Sequence, residues 1–183
     1  ANYRPISVLP YFSKLFEKIL YDQIISYLNN NNLLTSSQFG FRKGHSTEMA
    51  FNTLIYEITC LLEKGLKICL TLIDYSKAFD SLFHNILVNK LQSQFNFSYE
   101  ACLLIISYLT QRFQEVKIDG ERSERKEIKY GVPQGSLLGP LLFIMYINDI
   151  KDVLVHSTIN LFADDSETLT ASFDDDSLIE KVN

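Results

Sequence analysis

Three aspartates follow apolar segments that are typical of buried strands. Asp74 ends "KICLTLID" at 67–74, and Asp164 and Asp165 follow the apolar part of "NLFADDSE" at 160–167. Carboxylates at strand ends supply the hard oxygen ligands that Mg²⁺ prefers, and Mg²⁺ pairs act on phosphates in polymerases and nucleases. Taken alone, an Asp pair is more typical of a solvated turn, and an Asp after a strand is more typical of a helix N-cap. Both interpretations therefore stay open at this level.

Two glycine-rich segments carry further polar side chains that could contact a phosphate or a base. "QFGFRKGHST" places Arg42 and Lys43 between glycines ahead of a helix, and the planar guanidinium of arginine suits phosphate oxygens. "YGVPQGSLLGPLLF" places Gln134 between a proline and a glycine, where a nucleotide could approach the backbone. A solvated basic loop and an ordinary turn into a helix explain the same two compositions.

Composition indicates a folded globular chain and excludes several classes of protein. Of the 183 residues, 46% are hydrophobic, which is too many for a disordered tail. The three cysteines show no paired spacing, which favours a reducing, intracellular environment, and no signal-like or membrane-spanning stretch is present. Residues 164–183 hold seven of the 22 acidic residues and one of the 17 basic residues, so the rest of the chain is close to neutral. The net charge of −5 therefore decides little about nucleic acid.

The hydrophobic periodicity predicts helices and strands in irregular alternation. Apolar residues at three- and four-residue spacing predict helices over about 13–29, 46–64, 84–94, 98–111 and 136–152. Strands are predicted at 67–74, at "STINLF" and at "ETLTAS" after a turn at Asp164 and Asp165, with a separate hairpin whose turn carries Gly120. This order favours a single α+β domain over a regular α/β barrel or a doubly wound sheet. In one antiparallel sheet the strand ends would bring the three carboxylates together.

Five blocks of the sequence resemble, in order and in register, the reverse transcriptase domain of non-LTR (LINE-type) retrotransposons. They are "NYRPISVLPYFSKLFEKIL", "QFGFRKGHST", "LIDYSKAFDSLFHNIL", "GVPQGSLLGPLLFIMYINDI" and "LFADDS", and they cover nearly all of residues 1–172. The resemblance implies a right-hand polymerase architecture, with a palm of antiparallel sheet and packed helices plus partial fingers. It implies that about 1–66 are fingers-like, that about 67–183 are palm-like, and that the thumb is absent.

The resemblance also implies an RNA-directed DNA polymerase that adds dNTPs to a DNA primer on an RNA template. Two Mg²⁺ ions would serve the reaction, with Mn²⁺ as a substitute. By their places in the motifs, the metal-binding catalytic residues are Asp74, Asp164 and Asp165. The substrate-binding residues are Phe79 under the incoming sugar, Gln134 near the nucleotide and template, and Arg42 at the triphosphate, where the adjacent Lys43 is the alternative.

Two rival interpretations remain beside this one. The chain could be an inactive retroelement-derived fragment, or it could belong to a reverse transcriptase of the group II intron type. Because the sequence stops soon after the aspartate pair, before the primer grip and thumb of the family, we expect this stretch alone not to be a processive polymerase. We expect an intracellular protein without a membrane segment, and no protein partner is deducible from the sequence.

Overall fold

The computed structural model describes residues 7–182, which form two compact units. The first unit comprises the chain up to Asn31 together with Lys77–Tyr146, and the second comprises Asn32–Ser76 together with the chain from Ile147 onward. Residues 2–6, which open the first block of the family resemblance, lie outside the described range. The assignment of about 1–66 to the fingers and about 67–183 to the palm of a polymerase stays a prediction.

Helices dominate the first unit. They are α1 (Tyr11–Asn30), a 3₁₀ helix (Ala78–Asp80), α3 (His84–Ser93), α4 (Tyr99–Leu109) and α5 (Leu138–Tyr146). Helix α2 (Thr47–Glu63) follows α1 in the sequence and belongs to the second unit. Helix α5 contacts α1, α3 and the 3₁₀ helix, and seven of its nine residues are buried. A helix that is apolar on every side is stable only when other elements surround it, so α5 is the centre of this unit.

A β-hairpin projects from the first unit between α4 and α5. It consists of two short antiparallel pairs, in which β2 (Phe113–Gln114) pairs with β5 (Lys126–Glu127) and β3 (Lys117–Ile118) pairs with β4 (Glu121–Arg122). Asp119 and Gly120 form the turn with positive φ angles of 50° and 91°, as a type I′ turn requires. The hairpin predicted around Gly120 is therefore confirmed.

A three-stranded antiparallel sheet forms the centre of the second unit. Its strands are β1 (Lys67–Ile73), β6 (Ser157–Phe162) and β7 (Asp165–Ser172), in the order β1–β7–β6. Helix α2 (Thr47–Glu63) contacts β1 and β6, and helix α6 (Asp175–Val182) contacts β7 and β1. The side chain of Ser46 accepts a hydrogen bond from the Met49 N–H and so caps the N-terminus of α2.

Two predicted boundaries differ from the structure. The helix predicted over 136–152 is shorter, because α5 ends at Tyr146 and a separate 3₁₀ helix covers Ile150–Val153. Between them, the Asn148 amide accepts a hydrogen bond from the Thr35 N–H and donates one to the Leu33 carbonyl, so this residue serves a tertiary contact. The turn predicted at Asp164 and Asp165 lies one residue earlier.

Two further sequence predictions concern membranes and cysteines. Within residues 7–182, no helix has the length and apolar character needed to cross a membrane. All three cysteines have free thiols, in agreement with their unpaired spacing.

Candidate active site

A tight turn joins β6 to β7 and carries the first of the paired aspartates. Phe162 pairs with Asp165, so Ala163 and Asp164 are the two residues of the turn. Ala163 has a φ of 60°, and a positive φ at the first turn residue alone corresponds to a type II′ turn. Glycine usually occupies this position, because a side chain makes the left-handed conformation unfavourable. The turn is therefore strained at the residue before Asp164.

The strand register brings Asp74 and Asp165 to the same edge of the sheet. Ile73, the last residue of β1, pairs with Ser166. Continuing this register by one residue sets Asp74, which directly follows β1, across from Asp165, the first residue of β7. Opposed residues of an antiparallel pair point to the same face with Cβ atoms about 4.5–5.5 Å apart. Both aspartates are exposed and line a cavity of about 370 Å³.

The cavity lies on the face of the sheet that α2 covers in part. Three residues at the start of α2 line it together with the ends of β1, β6 and β7, and the remaining lining residues include Leu72, Phe162 and Glu167. Asp164 is half-buried in the turn and is not among the lining residues. The structure therefore brings Asp74 and Asp165 together in one cavity and leaves Asp164 beside it.

The donor chemistry at this edge suits a hard divalent cation. Two carboxylates that face one another repel each other, and bound cations relieve the repulsion while accepting oxygen ligands. The hydroxyl oxygen of Ser166, beside Asp165, is buried without a hydrogen-bond partner. Within residues 7–182, no group of three or more His, Cys, Asp or Glu side chains is arranged to hold a metal. The fit rests on the two facing carboxylates.

The side chain of Gln38 holds the turn, a contact that the sequence analysis did not predict. Its Oε1 accepts hydrogen bonds from the N–H groups of Gly40 (2.7 Å) and Ala163 (3.0 Å), and its Nε2 lies 3.4 Å from the Ala163 carbonyl. A Cβ atom on Gly40 would lie 2.2 Å from the Ala163 nitrogen, so only glycine fits there. A polar residue two positions before such a glycine in "SQFGF" was the available signal.

Arg42 donates hydrogen bonds to backbone carbonyls of the loop in which it lies, in the second unit. Its Nη1 donates hydrogen bonds to the carbonyls of Thr35 (2.8 Å) and Gln38 (3.1 Å), and burial lowers the pKa of its guanidinium. The neighbouring Lys43 side chain is exposed. The contact between Arg42 and a triphosphate stays a prediction, and the geometry leaves Lys43 as the more accessible of the two cations.

Phe79 and Gln134 lie together in the first unit. The Phe79 ring is half-buried with its centroid 4.5 Å from that of Phe143, and the Gln134 Nε2 lies 3.1 and 3.3 Å from the two carboxylate oxygens of Asp80. The Val132 N–H donates to the Phe79 carbonyl, which attaches the Gln134 loop to the 3₁₀ helix. Asp80, the partner of the Gln134 amide, is a residue that the sequence did not single out.

Gly131 makes the close approach of these two segments possible. It has a φ of 78°, its N–H donates to the Leu82 carbonyl, and a Cβ atom there would lie 2.7 Å from both the Asp80 Cα and the Phe79 carbonyl oxygen. Such contacts are too short for any side chain, so position 131 requires glycine.

A buried carboxylate supports the same loop from the other side. Glu17 of α1 is 1% exposed, and its two oxygens accept hydrogen bonds from the Tyr108 hydroxyl (2.9 Å) and the Leu137 N–H (2.7 Å). Because Leu137 directly precedes α5, the negative charge also lies at the positive end of that helix. Burial raises the pKa of Tyr108. Glu17 therefore fixes the point at which the Gln134 loop enters α5.

Comparison with known protein families decides the class of the chain. The family described as "Reverse transcriptase (RNA-dependent DNA polymerase)" matches residues 1–182. The chain belongs to the reverse transcriptase family. The resemblance of the five sequence blocks to the reverse transcriptase domain of non-LTR retrotransposons is confirmed by this family and by the relatives below.

Curated relatives of this reverse transcriptase chain come from mobile elements of insects. The "Probable RNA-directed DNA polymerase from transposon X-element" of Drosophila melanogaster is 35% identical over 170 residues, which are 90% of this chain and 18% of that protein. The corresponding protein from transposon BS is 33% identical over 175 residues, 96% of this chain and 19% of that protein. The "RNA-directed DNA polymerase from mobile element jockey" of Drosophila funebris is 32% identical over 175 residues, 96% of this chain and 18% of that protein. The chain therefore spans about a fifth of these relatives.

Solved structures with the same fold include telomerases. Apo telomerase from Candida tropicalis, truncated from its C-terminal domain, matches with a TM-score of 0.60 at 18% identity, over 91% of this chain and 35% of that one. Telomerase from the same organism in complex with a fragment of telomeric RNA matches with a TM-score of 0.62 at 15% identity, over 94% of this chain and 30% of that one. These similarities confirm the predicted α+β class with a polymerase palm and fingers.

Proposed function

We propose that this chain is the fingers and palm of an RNA-directed DNA polymerase from a non-LTR retroelement. It extends a DNA primer with dNTPs on an RNA template. The observation that carries the proposal is the pairing of Ile73 with Ser166, which sets Asp74 across from Asp165 in a chain of the reverse transcriptase family. The mobile-element names of the relatives favour a retrotransposon over a group II intron.

Each proposed site residue has a distinct task. Asp74 and Asp165 hold Mg²⁺ with their carboxylates, and Asp164 contributes from the turn beside them. Mg²⁺ held there would supply Lewis acidity, which would lower the pKa of the primer 3′-hydroxyl and neutralise charge on the departing pyrophosphate. Exposure of Asp74 and Asp165 to the cavity supports this assignment, since a substrate phosphate must reach the same oxygens.

The residues of the first unit act on the nucleotide. Phe79 limits the space at the 2′ position of the sugar, and its packing against Phe143 supports this task because it holds the ring in place. Gln134 contacts the nucleotide and template strand with its carbonyl oxygen. The hydrogen bond from its Nε2 to Asp80 supports this assignment, because it leaves the amide oxygen as the group that faces a ligand. Contacts to the RNA template are mainly to its backbone and A-form shape.

The experiment is primer extension by the full-length protein on an RNA template with Mg²⁺. Asp74→Asn, Asp164→Asn and Asp165→Asn preserve size and remove one charge each. We expect each to lower kcat by about a hundredfold or more, the usual effect of removing a preorganised electrostatic group. Asp176→Asn, at an exposed position of α6, is the matched control and should retain full activity. Extension that survives all three substitutions would refute the site, and an inactive wild type would favour the inactive-fragment alternative.

A further inference from the structure

The turn that carries Asp164 depends on contacts with residues outside the turn for its stability. Ala163 adopts a φ of 60°, a conformation that is unfavourable for alanine because its Cβ crowds the backbone. A strained residue of this kind persists only where the surrounding structure holds it. The contacts of Ala163 therefore determine where the following aspartates lie.

The side-chain amide of Gln38 contacts both hydrogen-bonding groups of the Ala163 backbone, the N–H and the carbonyl. Its Oε1 accepts the Ala163 N–H at 3.0 Å, and its Nε2 faces the Ala163 carbonyl at 3.4 Å. The same Oε1 accepts the Gly40 N–H at 2.7 Å, so the side chain is bonded to its own loop as well. Gln38 is 1% exposed, and water cannot replace these bonds without a change in the fold.

The backbone on either side of Gln38 is attached to strand β6. The Phe39 N–H donates to the Leu161 carbonyl at 2.8 Å, and the Leu161 N–H donates to the Ser37 carbonyl at 2.9 Å. Gln38 and Leu161 thus form a parallel bridge along the free edge of the sheet. Because the backbone is fixed at this bridge, the amide is directed at the turn two residues further along β6.

We propose that Gln38 is a positioning residue for the catalytic aspartates of this polymerase. Its amide holds Ala163 in the left-handed conformation and so sets Asp164 in the turn and Asp165 across from Asp74. The inference rests on the proposed function, and it adds a residue that does not contact substrate or metal. Gly40 belongs to the same arrangement, since any side chain there would collide with the Ala163 backbone.

The test measures Mn²⁺ binding to the full-length protein by electron paramagnetic resonance, together with thermal unfolding. Gln38→Met keeps the length of the side chain and removes its hydrogen bonds. We expect Mn²⁺ to bind about tenfold more weakly, the change in equilibrium constant that corresponds to one lost buried hydrogen bond. The matched control is Asn148→Leu, which removes the amide that binds Thr35 and Leu33 in the same unit. It should lower the melting temperature to a similar extent and leave Mn²⁺ affinity within twofold of wild type.

Hydrogen exchange of the wild-type protein provides a second measurement, which does not depend on whether a variant folds. The Ala163 N–H should exchange as slowly as the paired amides of β6, and far more slowly than the amides of the exposed hairpin turn at Asp119 and Gly120. Exchange at the rate of that hairpin turn would overturn the proposal. So would Mn²⁺ affinity that falls equally in Gln38→Met and Asn148→Leu, because the effect would then be general destabilisation.

The proposed function and the role of Gln38 fail in different ways. If Asp74→Asn binds Mn²⁺ as tightly as wild type, the aspartate site itself is wrong, and the role of Gln38 falls with it. If Asp74→Asn loses Mn²⁺ while Gln38→Met keeps it, the site stands and the positioning role is refuted. The proposal is supported when both variants lose affinity and Asn148→Leu does not.

Discussion

Replacing Glu17 with alanine should destabilise the protein more than most surface substitutions on a helix. Glu17 lies on α1 but is 1% exposed, and its carboxylate accepts one hydrogen bond from a hydroxyl and one from a backbone N–H. Alanine would leave the Tyr108 hydroxyl and the Leu137 N–H without this acceptor. It would also remove the negative charge at the N-terminus of α5.

The expected magnitude follows from these two bonds. A hydrogen bond to a charged acceptor contributes about 1.5–3 kcal/mol, so the loss of two should cost about 3–6 kcal/mol. In a chain of this size each kcal/mol shifts the melting temperature by about 2–4 °C, which gives a decrease of about 6–24 °C. Glu17→Gln keeps an acceptor for the Leu137 N–H and an amide for the Tyr108 hydroxyl, so its cost should be about 1–2 kcal/mol.

Thermal unfolding followed by circular dichroism checks this order of stabilities. Gln23→Ala, at an exposed position of the same helix, should change stability by less than about 0.5 kcal/mol. The reasoning is refuted if Glu17→Ala melts within 1–2 °C of Gln23→Ala, a difference of about 0.5 kcal/mol. If Glu17→Gln costs as much as Glu17→Ala, the negative charge, and not the hydrogen-bond geometry, is what the fold requires.

Three further outcomes are expected. Gly131→Ala should cost more than about 2 kcal/mol in chemical denaturation, because its Cβ would meet backbone atoms, whereas Gly65→Ala, at a similar φ of 75° with open space around it, should cost about 1 kcal/mol. Phe79→Val should raise the incorporation of ribonucleotides relative to deoxyribonucleotides in competition assays, and an unchanged ratio would assign sugar selection to another residue. Asp174→Ala should destabilise α6 at neutral pH. Hydrogen bonds from Ser177 lower the pKa of Asp174. The contribution of Asp174 to the free energy of unfolding is therefore present above the ordinary pKa of 3.8 and is lost as the pH falls through the lowered value. Equal melting temperatures of variant and wild type at neutral pH would contradict this.

Local sequence patterns predicted most elements of the fold because those elements depend on near neighbours in the sequence. The helices at 11–30, 47–63, 84–93 and 99–109 lie within three residues of their predicted ends. The strands at 67–73 and 157–162 were equally visible, since short apolar runs between polar turns are typical of buried strands. What these patterns lack is any information on which distant residues meet.

Helix α1 shows this limit clearly. Its apolar residues at three- and four-residue spacing predict a helix, but only part of that stripe is buried. Leu20, Ile24 and Leu28 are buried, while Leu15 and Ile19 are each 51% exposed, and Glu17 occupies the buried face in their place. The partners of Glu17 lie 91 and 120 residues away, so no periodicity within α1 could have indicated them.

The candidate site shows the same division between local and distant information. The types and order of the aspartates could be read from the sequence, and the family resemblance gave them roles. The register of β1 against β7 could not be read, because it depends on pairing between segments that are about 93 residues apart, as in Ile73 with Ser166. Gln38 was missed for the same reason, since its contacts to the turn span 125 residues.

The length of the turn decides which aspartate faces Asp74. Side chains on a strand alternate between faces, so a shift of one residue in the pairing of β7 would move Asp165 to the opposite face and bring Asp164 or Ser166 toward Asp74. The turn keeps two residues because Ala163 accepts a positive φ, and both backbone groups of Ala163 are bonded to Gln38. A buried amide on a loop far away in sequence thereby selects the carboxylate that meets Asp74, which is why the aspartate pair cannot be understood from its own motif alone.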